Sequence, residues 1–135
     1  MSKNIRIMSK TILELEPKAI WKNFSALNAV PRPSKKEAQV IEFILDFGAQ
    51  LKLETFKDEV GNVIIRKPAT KGYEKRKMVT LQSHLDMVHQ KNNDTNFDFE
   101  TQGIEMYVDE DWVRARGTTL GADNGLGVAT IMALL

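Results

Sequence analysis

Cysteine is absent from all 135 residues, which removes disulfides and thiolate metal ligands together and fits a reducing compartment. Histidine is scarce, with two residues, so a metal site here would have to be built from imidazole and carboxylate. An excess charge of one sign is also missing. Lys and Arg number 19 against 18 Asp and Glu, and a net charge of +1 creates no global field toward nucleic acid or an anionic membrane. Long hydrophobic runs are missing too. The opening "MSKNIRIMSK" is basic but lacks the roughly 7 to 15 apolar residues of a signal-peptide core, and no later run reaches the ~20 of a membrane span. These absences lead us to expect a soluble, cytoplasmic protein with neither nucleic acid nor membrane as partner. What is present is ordinary globular composition, 42% hydrophobic and 27% charged, enough for one domain with a core.

Along the chain, Pro17 suits a first helical turn, and Ile20, Trp21, Phe24 and Leu27 recur at helical spacing until "VPRP" ends the helix. Ser34-Lys35-Lys36-Glu37 has the capping-box pattern and predicts a second helix with Val40, Ile41, Ile44, Leu45 and Phe47 inward, ending near Gly48. "LKLETFKDE", "VGN" and "VIIRK" predict a hairpin over residues 51–67. Residues 68–76 read as a basic surface loop, "KMVTLQS" as a strand leading into His84, and residues 90–102 as a polar loop. "IEMYV" and "WVRAR" flank "DED" as a second hairpin, whose acids read as a wet turn. The fold class implied is α/β or α+β. The closing "LGVATIMALL" predicts a helix apolar on every side, which must be covered by other structure. Residues 1–135 are therefore expected to be the front part of a longer protein, cut in the helix that follows Asp123.

Two stretches carry candidate chemistry. In "QSHLDMV", His84 and Asp86 are two residues apart, so in an extended chain both project from one face at a strand end. A neutral imidazole is a good zinc ligand, and a carboxylate beside it can orient the ring and raise its basicity. Alone the triplet is weak evidence: with this many acids, one of two histidines has an acid at that position by chance roughly one time in four. His89, in the polar loop that follows, reads as a surface histidine.

In "RGTTLGADNGLGVA", four glycines surround Asp123-Asn124. A phosphate cradle fits poorly, because no Gly-Lys-Ser/Thr follows and Thr130 stands where a dinucleotide fingerprint wants glycine or alanine. Asp123 would also oppose a phosphate, whereas a cation suits it. Spacing leaves open whether Asp123 caps the helix, serves as a ligand, or both.

Together "LQSHLDMVHQKNNDT" (81–95) and "WVRARGTTLGADNGLGVA" (112–129) resemble the aminoacyl-histidine dipeptidases, also called cytosolic non-specific or beta-alanyl-histidine dipeptidases, among the co-catalytic zinc exopeptidases. "VPRPSKKE" and "DEVGNVIIRKPAT" are weaker echoes. The resemblance implies the mixed-sheet catalytic domain of a zinc peptidase and a dipeptide substrate, notably one ending in histidine. It implies zinc, with cobalt or manganese as alternatives, His84 as a ligand of one ion, Asp123 as the carboxylate bridging two, and Asp86 as the acid associated with catalysis. His89 departs from the pattern, which has proline there. A pair of glutamates, one the general base, and a further aspartate and histidine would lie beyond Leu135, as would any surface forming a homodimer. The alternative is a catalytically inactive binding or interaction fragment retaining two ligands.

Overall fold

The structure, a computed structural model, describes residues 11–135; the basic opening segment read above as lacking a signal core lies outside the described residues. After a single 3-10 turn at Ile12–Glu14, helix α1 spans Lys18–Asn28, with Pro17 as its N-cap. The expected stripe is used: Phe24 and Leu27 are fully buried. The prolines at 31 and 33 then hold the chain extended, since each lacks an N–H to continue a helix.

Helix α2 spans Ala38–Gln50 and buries Val40 and Ile44, with Phe43 and Phe47 packed beside them. It does not begin with the expected capping box. Its N-cap is Glu37, whose side chain makes no capping bond to the helix. Ser34 instead lies in a turn closed by the Lys36 N–H donating to the Pro33 carbonyl at 3.0 Å, with Lys35 left-handed at φ 71°. A long-range partner of Ser34, described below, displaces the local pattern.

Strands β1 (Glu54–Lys57) and β2 (Val63–Arg66) pair antiparallel in the expected hairpin, and Val63 and Ile65 pack against the core. Asp58 fastens the turn by accepting from the Val60 and Asn62 N–H groups at 3.1 and 2.8 Å. Strands β3 (Met106–Asp109) and β4 (Trp112–Ala115) form the second hairpin, and residues 109–111 are an exposed turn as anticipated. Two isolated bridges complete the pairing, one parallel between Pro33 and Met87 and one antiparallel between Lys91 and Thr118. The described residues are thus α/β.

One expectation needs correction. Residues 77–83 are not a strand: a strand exists through hydrogen bonds to a neighbour, and no described segment forms a ladder with them. Met78, Val79 and Leu81 are 91%, 76% and 51% exposed. Helix α3 (Ala122–Leu134) is apolar as predicted, and the described residues cover one side of it. Val128, Ala129 and Met132 are buried on α1 and α2, whereas Leu134 is 61% exposed. No helix among the described residues is long and apolar enough to cross a membrane.

Leu27, Val40, Ile44, Val128 and Met132 form one buried cluster joining all three helices. Because Leu27 is fully enclosed, Leu27→Ala is expected to cost about 2 to 5 kcal/mol in denaturant unfolding. A loss below about 1 kcal/mol would mean that the three helices do not share a core.

Candidate functional site

Around His84 the chain alternates like a strand: Leu85 packs on the core and Met87 is buried, while His84 and Asp86 face outward. The segment is fastened at Met87, whose N–H donates to the Arg32 carbonyl at 3.0 Å and whose carbonyl accepts from the Ser34 N–H at 3.2 Å. Asp86 is thereby set beside Ser34, whose hydroxyl donates to Asp86 Oδ2 at 2.5 Å. The other oxygen, Oδ1, faces His84 Nδ1 at 3.0 Å, so the two residues share a face as the spacing predicted.

The second motif runs alongside the first. The Thr119 hydroxyl donates to the Val88 carbonyl at 2.7 Å, the Thr119 N–H to the Gln90 carbonyl at 2.9 Å, and the Asn92 N–H to the Gly117 carbonyl at 2.8 Å. Ser83 Oγ donates to the Asn124 carbonyl at 3.2 Å. The result is that Asp123 Oδ1 lies 3.0 Å from His84 Nε2, across 39 residues of sequence.

A buried arginine sets this spacing. Arg32 is 2% exposed; its Nη1 donates to the Leu85 carbonyl at 3.1 Å, and its Nη2 to the Gly121 carbonyl at 2.8 Å and to Asn28 Oδ1 at 2.7 Å. Asn28 in turn donates to the Leu120 carbonyl at 3.0 Å. One guanidinium therefore ties the end of α1 to the histidine segment and to the aspartate loop. Burial lowers its pKa to about 10, opposed by the nearby Asp86 charge, so it stays protonated at neutral pH. Arg32 was not singled out from sequence, and Ser34 was read only as the start of a capping box. The available signal was a charged residue fixed between two prolines, directly before a helix.

Gly121 has φ 73°, a conformation that L side chains rarely adopt, and a Cβ there would lie 2.5 Å from Arg32 Nη2 and 2.8 Å from Met87 Sδ. The glycine is required twice, by the backbone and by the clamp. Just beyond it, Asp123 (φ −94°, ψ 106°) departs from helical geometry inside the first turn of α3, and its side chain is 95% exposed.

Both ring nitrogens of His84 face carboxylate oxygens, an arrangement that favours the imidazolium form, which donates from both. The His84 pKa is accordingly raised from its ordinary 6.5, by the bond to Asp123 first and by Asp86 as well, against partial desolvation. The Asp86 pKa is lowered, first by the Ser34 hydroxyl and then by His84, against desolvation. A cation can take the place of the Nε2 proton. Zinc bonds of about 2.0 to 2.2 Å to nitrogen and oxygen at a tetrahedral angle put two donors roughly 3.3 Å apart, close to the 3.0 Å found. The donor types and spacing fit zinc, but as two donors; no group of three or more His, Cys, Asp and Glu among the described residues could hold a metal ion. His89 lies apart, exposed and edge-on to Phe99 at 5.7 Å.

No family model matches the chain. It is 50% identical over 122 residues to the cytosol non-specific dipeptidase of Escherichia coli strain K12, covering 90% of this chain and 25% of that protein. Among solved structures, the aminoacylhistidine dipeptidase of Vibrio alginolyticus superposes with a TM-score of 0.90 at 44% identity, over 93% of this chain and 26% of that one. A tripeptidase from Staphylococcus aureus superposes with a TM-score of 0.65 at 18% identity, over 87% of this chain and 31% of that one, a likeness of fold alone. The resemblance drawn from the two motifs thus extends over nearly the whole of this chain, while the chain spans about a quarter of the dipeptidases it resembles.

Gly121→Ala is expected to destabilise the protein by about 2 kcal/mol or more, combining left-handed strain with collision against Arg32. An unchanged unfolding midpoint would show that the clamp yields. In metal-free protein, NMR titration should place the His84 pKa above 6.5, and Asp123→Asn should bring it down. Since the folded pKa is raised, the stability from this contact is full below 6.5 and is lost as pH rises through the folded value. Zinc affinity should fall as pH drops below that value, because the metal must displace the proton. A His84 pKa at or below 6.5 would contradict the contact.

Proposed function

We propose that this chain is the N-terminal portion of a metal-dependent dipeptidase that hydrolyses dipeptides, notably of the aminoacyl-histidine type, at a two-zinc site. The observation that carries the reading is the convergence of His84 Nε2 and Asp123 Oδ1 at 3.0 Å, from two motifs that also carry the likeness to dipeptidases. In this reading His84 is a ligand of one ion, and Asp123 is the shared anion that offsets the repulsion of two. When bound, zinc supplies polarisation of the scissile carbonyl and a water acidic enough to be deprotonated near neutral pH. Asp86 keeps the hydrogen on Nδ1 of His84, leaving the Nε2 lone pair for the metal and strengthening its donation. Asp123, attached to the metal site by one exposed carboxylate, has its outer lone pairs free for a second ion. The general base and the remaining ligands would come from residues after Leu135, as would any homodimer surface. The name of the Escherichia coli relative supports a cytoplasmic location.

Two donors are fewer than the three or four that hold zinc firmly. The 135-residue chain by itself is therefore expected to bind zinc weakly and to show no turnover, which is the state the inactive-fragment reading describes.

For the intact, zinc-loaded protein, hydrolysis of beta-alanyl-histidine is expected, with His84→Ala or Asp123→Ala abolishing it. Chromatographic assay of released histidine checks this; full activity in either variant would sink the site assignment.

A further inference from the structure

We propose that Ser34 is a positioning residue for the metal site, whose hydroxyl fixes the Asp86 carboxylate and through it the tautomer of His84. The inference rests on the proposed metal-ligand role of His84 and extends it to a residue in the turn that precedes α2.

Ser34 Oγ has two acceptors in reach, Asp86 Oδ2 at 2.5 Å and the Met87 carbonyl at 3.1 Å, and only one hydrogen. The charged, nearer acceptor takes it, since turning the hydrogen to Met87 would set an oxygen lone pair against a carboxylate oxygen at 2.5 Å. Ser34 cannot drift from this position. Its N–H is held by the Met87 carbonyl at 3.2 Å, and the adjoining Pro33 is bridged to Met87. With Oδ2 engaged, rotation of the carboxylate is stopped, and Oδ1 presents its lone pairs to His84 Nδ1.

The consequence concerns which nitrogen carries the hydrogen when the ring is neutral. A free neutral histidine side chain prefers the hydrogen on Nε2, the nitrogen that faces Asp123 and would have to be bare to bind a metal. A carboxylate held at Nδ1, set against the exposed Asp123 carboxylate at Nε2, reverses that preference. The Asp86 backbone carbonyl also lies 3.1 Å from Nδ1, but it is a neutral acceptor; the charged one is the carboxylate, which is partly exposed and turns toward water unless it is held. Ser34 supplies the missing restraint, and this explains why its side chain is not at the N-terminus of α2, where the sequence pattern would put it.

The test uses the intact protein with 15N-labelled histidine. In its metal-free form, at a pH where the ring is neutral, long-range nitrogen–proton correlations read the His84 tautomer directly. Wild type should carry the hydrogen on Nδ1, Ser34→Ala should shift the population measurably toward Nε2, with the Asp86 carbonyl holding the remainder, and Ser34→Thr, which keeps the hydroxyl, should restore Nδ1. Ser34→Cys, similar in volume and a weak donor, should shift in the same direction as alanine, so the result does not hang on one variant folding. Zinc titration against a chelating indicator should show affinity reduced about tenfold in Ser34→Ala, with no further reduction when Ser34→Ala is added to Asp86→Asn. A wild-type tautomer in Ser34→Ala, or a threonine variant as impaired as the alanine variant, would overturn the proposal. If His84→Ala left zinc binding intact, the ligand reading would fail instead, while the metal-free tautomer measurement would still decide the role of Ser34.

Discussion

Placing a guanidinium inside a small α/β fold is costly, and the cost governs how the rest of this molecule is arranged. Arg32 is 2% exposed, and burial brings its pKa down to about 10. Such a cation is tolerated only where its N–H groups meet acceptors. Here the two terminal nitrogens meet the carbonyls of Leu85 and Gly121 and the side chain of Asn28, and the buried Nε–H is left without a partner among the described residues. Each acceptor sits on a different segment, so satisfying one charged group fixes three parts of the chain relative to one another. The nearby Asp86 carboxylate offsets part of the desolvation. The separation of His84 from Asp123 is therefore not set where those residues touch. It is set deeper, by what one arginine needs.

The same constraint explains the glycines of the aspartate loop. Close approach of the Gly121 carbonyl to Arg32 leaves no room for a Cβ, and at Gly125 a Cβ would stand 2.7 Å from Arg32 Nη2 and 2.8 Å from Phe24. The contact requiring these glycines is with a residue about ninety positions earlier, and single-sequence reasoning has no handle on it.

Local signals were legible and non-local ones were not. Helical periodicity located α1 and α2, and polar turns between apolar runs located both hairpins, because those patterns are decided within a few residues. Ser34 shows the limit: its capping-box pattern was real, but a carboxylate 52 residues away in sequence holds the hydroxyl. Residues 77–83 show it again. Their composition suits a strand, yet β-structure depends on a partner, and the described residues provide none. His84, Asp86 and Asp123 were found through chemistry and resemblance, and the structure does bring them together. Arg32 escaped notice because a charge between two prolines looks like a surface loop.

Rigidity and freedom are divided within the site in a way that suits the chemistry proposed for it. His84 is held at Nδ1 by Asp86, which is held by Ser34, which is held by backbone bonds to Met87. That series ends in a buried bridge, so the imidazole can be presented without paying rotational entropy when a cation arrives. Asp123 is treated differently. Its backbone is anchored through the loop beginning at Gly121, while its side chain is 95% exposed and, among the described residues, bonded to His84 alone. A carboxylate that is to be shared between two ions must keep lone pairs free on both oxygens, and additional bonds from the protein would occupy them. In the proposed site the histidine would be fixed because it has one direction in which to donate, and the aspartate left open because it would have two.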